Sequence, residues 1–139
     1  MARKILVLGA GKSTSYLIDY FLDKASAQNL HLTIGDLHPS TISSNITQHP
    51  NCTVFKLDIL EDGARKDAVN KTDIVVSMLP ARLHSKVAYD CISSRKHLVT
   101  ASYVSDEIRT LDKEAKATGL VFMNEVGLDP GIDHMSAME

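Results

Sequence analysis

Lys4-Ile5-Leu6-Val7-Leu8-Gly9-Ala10-Gly11-Lys12-Ser13-Thr14 stands close to the start of the chain. Residues 4–8 are apolar without a break after the lysine, as in a parallel strand covered on both faces. Two glycines follow at once. Residues 13–27 then place Leu17, Ile18, Phe21, Leu22 and Ala25 at helical spacing, which gives a helix one buried stripe. A buried strand, a glycine turn and an amphipathic helix form the opening unit of a doubly wound α/β sheet.

The same alternation continues outward. Residues 30–35 read as a second strand and 40–49 as a short polar helix. Residues 53–57 read as a third strand and 60–71 as a charged helix, before the apolar strand 73–78. Pro80 stops that strand from pairing further. Residues 82–95 carry Leu83, Val87, Ala88, Cys91 and Ile92 on one helical face. A fifth strand at 97–101 leads to a helix over 105–117. Ser105 is a suitable N-cap there, Asp106 and Glu107 suit the positive end, and Gly119 closes the helix. Residues 120–124 read as a sixth strand, and 128–139 as a helix capped by Asp129 ahead of Pro130. Six β-α units with right-handed crossovers predict a Rossmann-type doubly wound parallel sheet in three α/β/α layers, strand order 3-2-1-4-5-6. The expected domain is residues 1–127. Residues 128–139 are expected to begin a connection to a further domain of a longer polypeptide.

Composition sets limits on function. The 139 residues are 44% hydrophobic and 23% charged, which suits one domain with a real core. Fifteen Lys+Arg against seventeen Asp+Glu give a net charge of −2 without a basic run, so nucleic acid is not an expected partner. No apolar run approaches the ~20 residues of a membrane span. The basic, apolar start is too short for a signal peptide and runs straight into the glycines. Cys52 and Cys91 make no disulfide framework, and a reducing cytoplasm is the expected location. No His/Cys cluster has metal-ligand spacing, so no metal is expected.

In a dinucleotide-binding turn the first glycine permits the bend and the second lets backbone approach the pyrophosphate. The helix N-terminus then offers free N–H groups and a favourable dipole. Thr14 stands at the third position of G-x-G-x-x-G. Gly11-Lys12-Ser13 also matches the end of a P-loop, but that motif needs a glycine where Leu6 stands inside the strand. A plain glycine turn is the remaining alternative. Asp36, 25 positions after Gly11, is placed to accept hydrogen bonds from ribose hydroxyls and to repel a 2′-phosphate. No Lys or Arg lies between Lys24 and Lys56, so NAD is expected over NADP. Asp36 also suits a simple turn acid before Pro39. Asp58 falls where the adenine edge would rest, or serves as a loop acid or N-cap.

Ligands of open α/β sheets sit outside the carboxyl ends of the strands. Those ends carry Met78-Leu79-Pro80, Thr100-Ala101-Ser102-Tyr103-Val104-Ser105 and Asn124-Glu125-Val126-Gly127-Leu128-Asp129-Pro130-Gly131-Ile132-Asp133-His134-Met135. Together with the glycine loop and Asp36, these strings resemble the saccharopine dehydrogenase family, in particular its glutamate-forming branch, over essentially the whole chain. The resemblance implies an N-terminal dinucleotide-binding domain followed by a substrate and dimerisation domain, the full protein being a homodimer. It implies an amino-acid-derived substrate: the secondary amine of saccharopine is oxidised with NAD or NADP, and the imine is hydrolysed to glutamate and aminoadipate semialdehyde. On that resemblance Gly9, Gly11, Lys12, Ser13 and Thr14 would cradle the pyrophosphate. Asp36 would meet the adenosine ribose, and Asp58 and Ile59 the adenine. Leu79 and Pro80 would lie along the nicotinamide ribose. Ser102 and Tyr103 would touch the nicotinamide side and a substrate carboxylate. Val126, Gly127, Leu128, Asp129, Pro130 and Gly131 would bracket the reacting carbon. Without the second domain this chain is expected to bind coenzyme but not to turn over substrate.

Several residues carry two readings. Tyr103 suits carboxylate binding or a half-buried aromatic at a strand end. Asp129 suits holding a protonated amine or capping a helix. His134 suits a general base or an ordinary helix residue. His84 reads as a solvated surface residue, and Cys91 as core. A related imine reductase acting on another amino acid and a non-catalytic nucleotide-sensing module are the alternative functions.

Overall fold

The computed structural model describes residues 1–127. The helix expected over 128–139 lies outside them, as do Leu128, Asp129, Pro130, Gly131 and His134. Six parallel strands, β1 (Arg3–Leu8), β2 (Leu30–Asp36), β3 (Cys52–Lys56), β4 (Ile74–Ser77), β5 (His97–Thr100) and β6 (Phe122–Met123), form one sheet in the order β3-β2-β1-β4-β5-β6. The expected Rossmann-type order is therefore present. The helices are α1 (Ser15–Gln28), α2 (Ser44–Thr47), α3 (Asp62–Asn70), α4 (His84–Ser94), α5 (Asp106–Thr110) and α6 (Asp112–Ala117).

Period-two alternation in β1 builds both cores. Ile5 and Val7 face one side and pack with Ile18, Leu22 and Ala25 of α1. Leu6 and Leu8 face the other and pack with Val69 of α3, Val87 and Cys91 of α4, and Leu111. Each of the four β1 residues is nearly or wholly buried, which accounts for their unbroken hydrophobicity. Both cysteines are buried too. Burial pushes the Cys52 thiol up to about 11 and the Cys91 thiol up to about 12.

Four helices depart from expectation. The segment read as one helix over 40–49 is a 3-10 turn, Pro39–Thr41, followed by the four-residue α2. Its hydroxyls compete with helical hydrogen bonding: Thr41 Oγ1 donates to the His38 carbonyl at 2.8 Å and Thr47 Oγ1 to Ser44 at 3.3 Å. The helix read over 105–117 is divided at Leu111 into α5 and α6, with Ile108, Leu111 and Ala115 all buried. Ser105 caps α5 as expected, its Oγ accepting the Ile108 N–H at 3.2 Å. The helices after β1 and β4 each begin with a 3-10 turn, Lys12–Thr14 and Ala81–Leu83. Strand β6 has only two residues where five were read.

Candidate functional site

Strand β1 pairs with β2 on one side and β4 on the other, so the chain direction of the crossovers reverses beside it. At its carboxyl end Leu8 stands opposite Gly35 and Ser77. A crevice must open there, because successive connections leave on opposite faces of the sheet. A cavity of about 480 Å³ occupies this position. Gly9, Gly11, Asp36, Asp58, Ile59, Leu79 and Pro80 all line it, so seven residues singled out from sequence come together.

The two loop glycines are glycine for different reasons. Gly9 has φ +89°, and a Cβ there would meet the Met78 carbonyl oxygen at 3.1 Å. Its backbone demands glycine. Gly11 has φ −68° and ψ 178°, open to any residue, and a Cβ there would meet no heavy atom within 4 Å beyond its chain neighbours. Nothing in the described chain requires glycine at that point. A side chain there would fill the space in front of the helix start, where the first amides have no intrahelical acceptor. The arrangement fits a diphosphate approaching closely. Lys12 lies on an adjoining cavity with Gly11, Ser15 and Thr41, Ser13 is exposed, and Thr14 is buried beneath the loop.

Asp36 ends β2 with both carboxylate oxygens engaged. Oδ2 accepts the Ala10 N–H at 2.8 Å and Oδ1 the His38 N–H at 2.7 Å. The acid therefore shapes the glycine loop as well as the rim of the cavity, and a carboxylate has lone pairs left for a ribose hydroxyl. Asp58 accepts the Leu60 N–H at 2.9 Å, an Asx turn that orders the wall holding Ile59. Arg65 of α3 locks the same wall from behind. It is 4% exposed, donates to the Ile59 carbonyl at 2.7 Å and to Asp62 at 2.8 Å, and pairs with the buried Asp90 of α4.

Two residues of this region escaped the sequence reading. Arg82 lines the cavity from the turn after β4, so a cation does reach the pocket, although none lies in sequence near Asp36. His84 is not a solvated surface residue: it is 2% exposed and hydrogen-bonded to Ser77 and Ser102. The single-helix pattern gave no sign of this, because its partners come from other strands.

Burial lowers the His84 pKa below its ordinary value near 6.5. The unfolded chain then binds a proton that the folded chain refuses. The stability this gives is present above about pH 6.5 and is lost as pH falls from there towards the folded pKa. Replacing His84 by Gln is expected to flatten the fall in melting temperature between pH 7.5 and 5.5. A parallel fall in both proteins would assign the effect to other groups.

The remaining expected residues lie at the ends of β5 and β6 and not on the 480 Å³ cavity. Ser102 is half-buried, and its carbonyl accepts the Glu125 N–H at 3.0 Å. Tyr103 is 55% exposed. Val126 N–H reaches the Thr100 carbonyl at 3.5 Å, and Gly127 follows directly. Glu125, quoted within the 124–135 string but given no role of its own, takes φ +61° and accepts the Val104 N–H at 3.4 Å. Among the described residues no three His, Cys, Asp or Glu converge as a metal would require, and no helix is long and apolar enough to cross a membrane.

Comparison with known proteins supplies the family. The chain is 37% identical over 137 residues to a saccharopine dehydrogenase [NADP(+), L-glutamate-forming] of Pyricularia oryzae, covering 99% of this chain and 30% of that protein. It is 34% identical over 152 residues to the alpha-aminoadipic semialdehyde synthase of Arabidopsis thaliana, covering 97% of this chain and 14% of that protein. Thus it spans less than a third of either relative. Among solved structures, the apo saccharopine dehydrogenase (L-Glu forming) of Saccharomyces cerevisiae superposes with a TM-score of 0.85 at 29% identity, over 98% of this chain and 30% of that one. The family described as saccharopine dehydrogenase NADP binding domain matches residues 5–123, and with the site described above this establishes that the chain belongs to that family.

Proposed function

We propose that residues 1–127 bind a nicotinamide dinucleotide for a saccharopine dehydrogenase-like oxidoreductase, with residues 128–139 leading towards its substrate domain. The observation that carries the reading is the open space at the Gly11 Cβ position, directly before the first turn of the helix at the switch point. When bound, the dinucleotide supplies hydride-transfer chemistry. This chain supplies binding and orientation: Gly9, Gly11, Lys12, Ser13 and Thr14 at the diphosphate, Asp36, Asp58 and Ile59 on the adenosine half, and Leu79, Pro80 and Ser102 on the nicotinamide half, with Val126 and Gly127 beside it. Leu128, Pro130 and Gly131 extend that half in sequence, and Tyr103 and Asp129 are proposed to orient the substrate. The substrate is saccharopine, the products glutamate and aminoadipate semialdehyde, and the full protein a cytoplasmic homodimer.

The proposal separates binding from turnover. At a hundred times its dissociation constant a ligand adds about 2.7 kcal/mol, raising the melting temperature of a chain this size by roughly 10 °C. NADH or NADPH is expected to give such a shift, while saccharopine with oxidised coenzyme yields no reduced coenzyme on this chain alone. No shift with either would remove the binding proposal. Turnover by the chain alone would remove the proposal that a further domain is needed.

Coenzyme choice turns on Asp36. NADP appears in the printed descriptions of the family and of the Pyricularia relative, so the comparisons lend NAD no support. Our reason for proposing NAD is the carboxylate fixed at the end of β2, where it repels a 2′-phosphate. Asp36→Ala is then expected to raise the affinity for NADPH relative to NADH about tenfold, the scale of removing one like-charge contact. An unchanged ratio would take Asp36 out of the discrimination and leave Arg82 as the residue to test.

A further inference from the structure

His84 is enclosed at the carboxyl edge of the sheet with no role in the dinucleotide contacts above. It opens α4 directly after the turn that follows Pro80, yet its ring points inward. Nδ1 shares a 2.8 Å hydrogen bond with Ser77 Oγ, and Nε2 shares one of 2.8 Å with Ser102 Oγ. Thr100 Oγ1 lies 3.3 Å from the same Nε2. Ser77 is the last residue of β4, Thr100 the last of β5, and Ser102 stands two residues beyond. One planar ring thus spans the ends of two neighbouring strands, with a nitrogen bonded to each.

The tie extends further. The Ser102 carbonyl accepts the Glu125 N–H, and the Glu125 carboxylate accepts the Val104 N–H, so the segments after β5 and β6 are laced to the same ring. Packing alone does not call for histidine here. A leucine fills similar space, and buried serine and threonine hydroxyls can bond their own backbone. The imidazole adds a fixed separation between the two strand ends. In a doubly wound sheet the strands past the switch point serve the second mononucleotide half.

We infer that His84 is a positioning residue for the nicotinamide half of the site, holding residues 101–104 at a fixed distance from the end of β4, where that half of the coenzyme is proposed to lie. This rests on the proposed dinucleotide reading. The imidazole itself moves no proton in this role, because its far partner Ser77 is fully buried.

The test compares ligands with and without the nicotinamide half. Affinities for NADH and NADPH, and for ADP-ribose and its 2′-phosphate, are measured by calorimetry on wild type, Ser77→Ala, His84→Leu and His84→Gln. Both Ser77→Ala and His84→Leu are expected to lower dinucleotide affinity about tenfold and to leave the ADP-ribose ligands within about twofold, the scale of losing buried hydrogen bonds. His84→Gln, which keeps a polar arm, is expected to recover part of the loss. If His84→Leu fails to fold, Ser77→Ala carries the comparison, since it removes one oxygen only. Equal losses for both ligand classes, or no loss for either, overturn the positioning role. A wild-type chain that binds neither NADH nor NADPH overturns the dinucleotide proposal itself, and this inference with it.

Discussion

Gly11→Val is expected to cut dinucleotide affinity by about ten- to a hundredfold while the chain still folds. Valine adopts the φ −68°, ψ 178° of this position readily, and its Cβ meets no neighbour within 4 Å. The folded chain loses only the ~1 kcal/mol by which glycine outranks valine at an N-cap, about 3–4 °C in melting temperature. Its methyls instead occupy the approach to the first helical turn, and over-filling a close contact costs about 1–3 kcal/mol. That energy appears in the complex and not in the free chain. Gly9→Val makes the contrasting control. Its φ of +89° and the Met78 carbonyl 3.1 Å from the Cβ position put the cost into folding itself. The two substitutions, two residues apart, therefore separate by assay: calorimetry of ligand binding registers Gly11→Val, and thermal unfolding registers Gly9→Val. Normal coenzyme binding by Gly11→Val would mean that the loop has been assigned the wrong ligand.

Arg65→Met carries the largest expected effect on stability. Arg65 and Asp90 are 4% and 3% exposed and pair between α3 and α4. Removing the guanidinium leaves the Asp90 carboxylate buried without its partner, which costs about 3–5 kcal/mol. For a chain of this size that is a fall of roughly 10–20 °C in melting temperature, a large share of the ~5–15 kcal/mol that holds a domain folded. The double variant Arg65→Met/Asp90→Leu removes the orphaned charge with the cation and is expected to recover most of the loss. A double variant no better than the single one would place the cost in the bond to the Ile59 carbonyl, and so in the cavity wall, rather than in the ion pair.

Strand order and the position of the cavity were legible because they depend on local pattern and on chirality. The unbroken apolar run of β1, short and ended by two glycines, fits a strand covered on both faces, and right-handed crossovers then limit the orders open to its neighbours. The switch point places the crevice, and the glycine loop, Asp36, Asp58 and Leu79-Pro80 converge on it because each stands at or just past the carboxyl end of a strand. What pattern did not show depends on partners distant in sequence. The 40–49 segment lost its helix to hydroxyls bonding their own backbone. His84 looked solvated because its helix carries an adequate apolar stripe without it, while Ser77, Thr100 and Ser102 reach it from other elements. Arg82 was missed for a related reason. No cation stands near Asp36 along the chain, whereas the pocket receives one from across the switch point.

A crystal structure of the chain with saturating NADH, and in parallel with NADPH, would measure the binding mode directly. The expected density places the diphosphate against the amides of Gly11, Lys12 and Ser13, the adenosine beside Asp36 and Asp58, and the nicotinamide towards Pro80 and Ser102. Coenzyme lodged elsewhere on the sheet, with the space before Gly11 left to solvent, would contradict it.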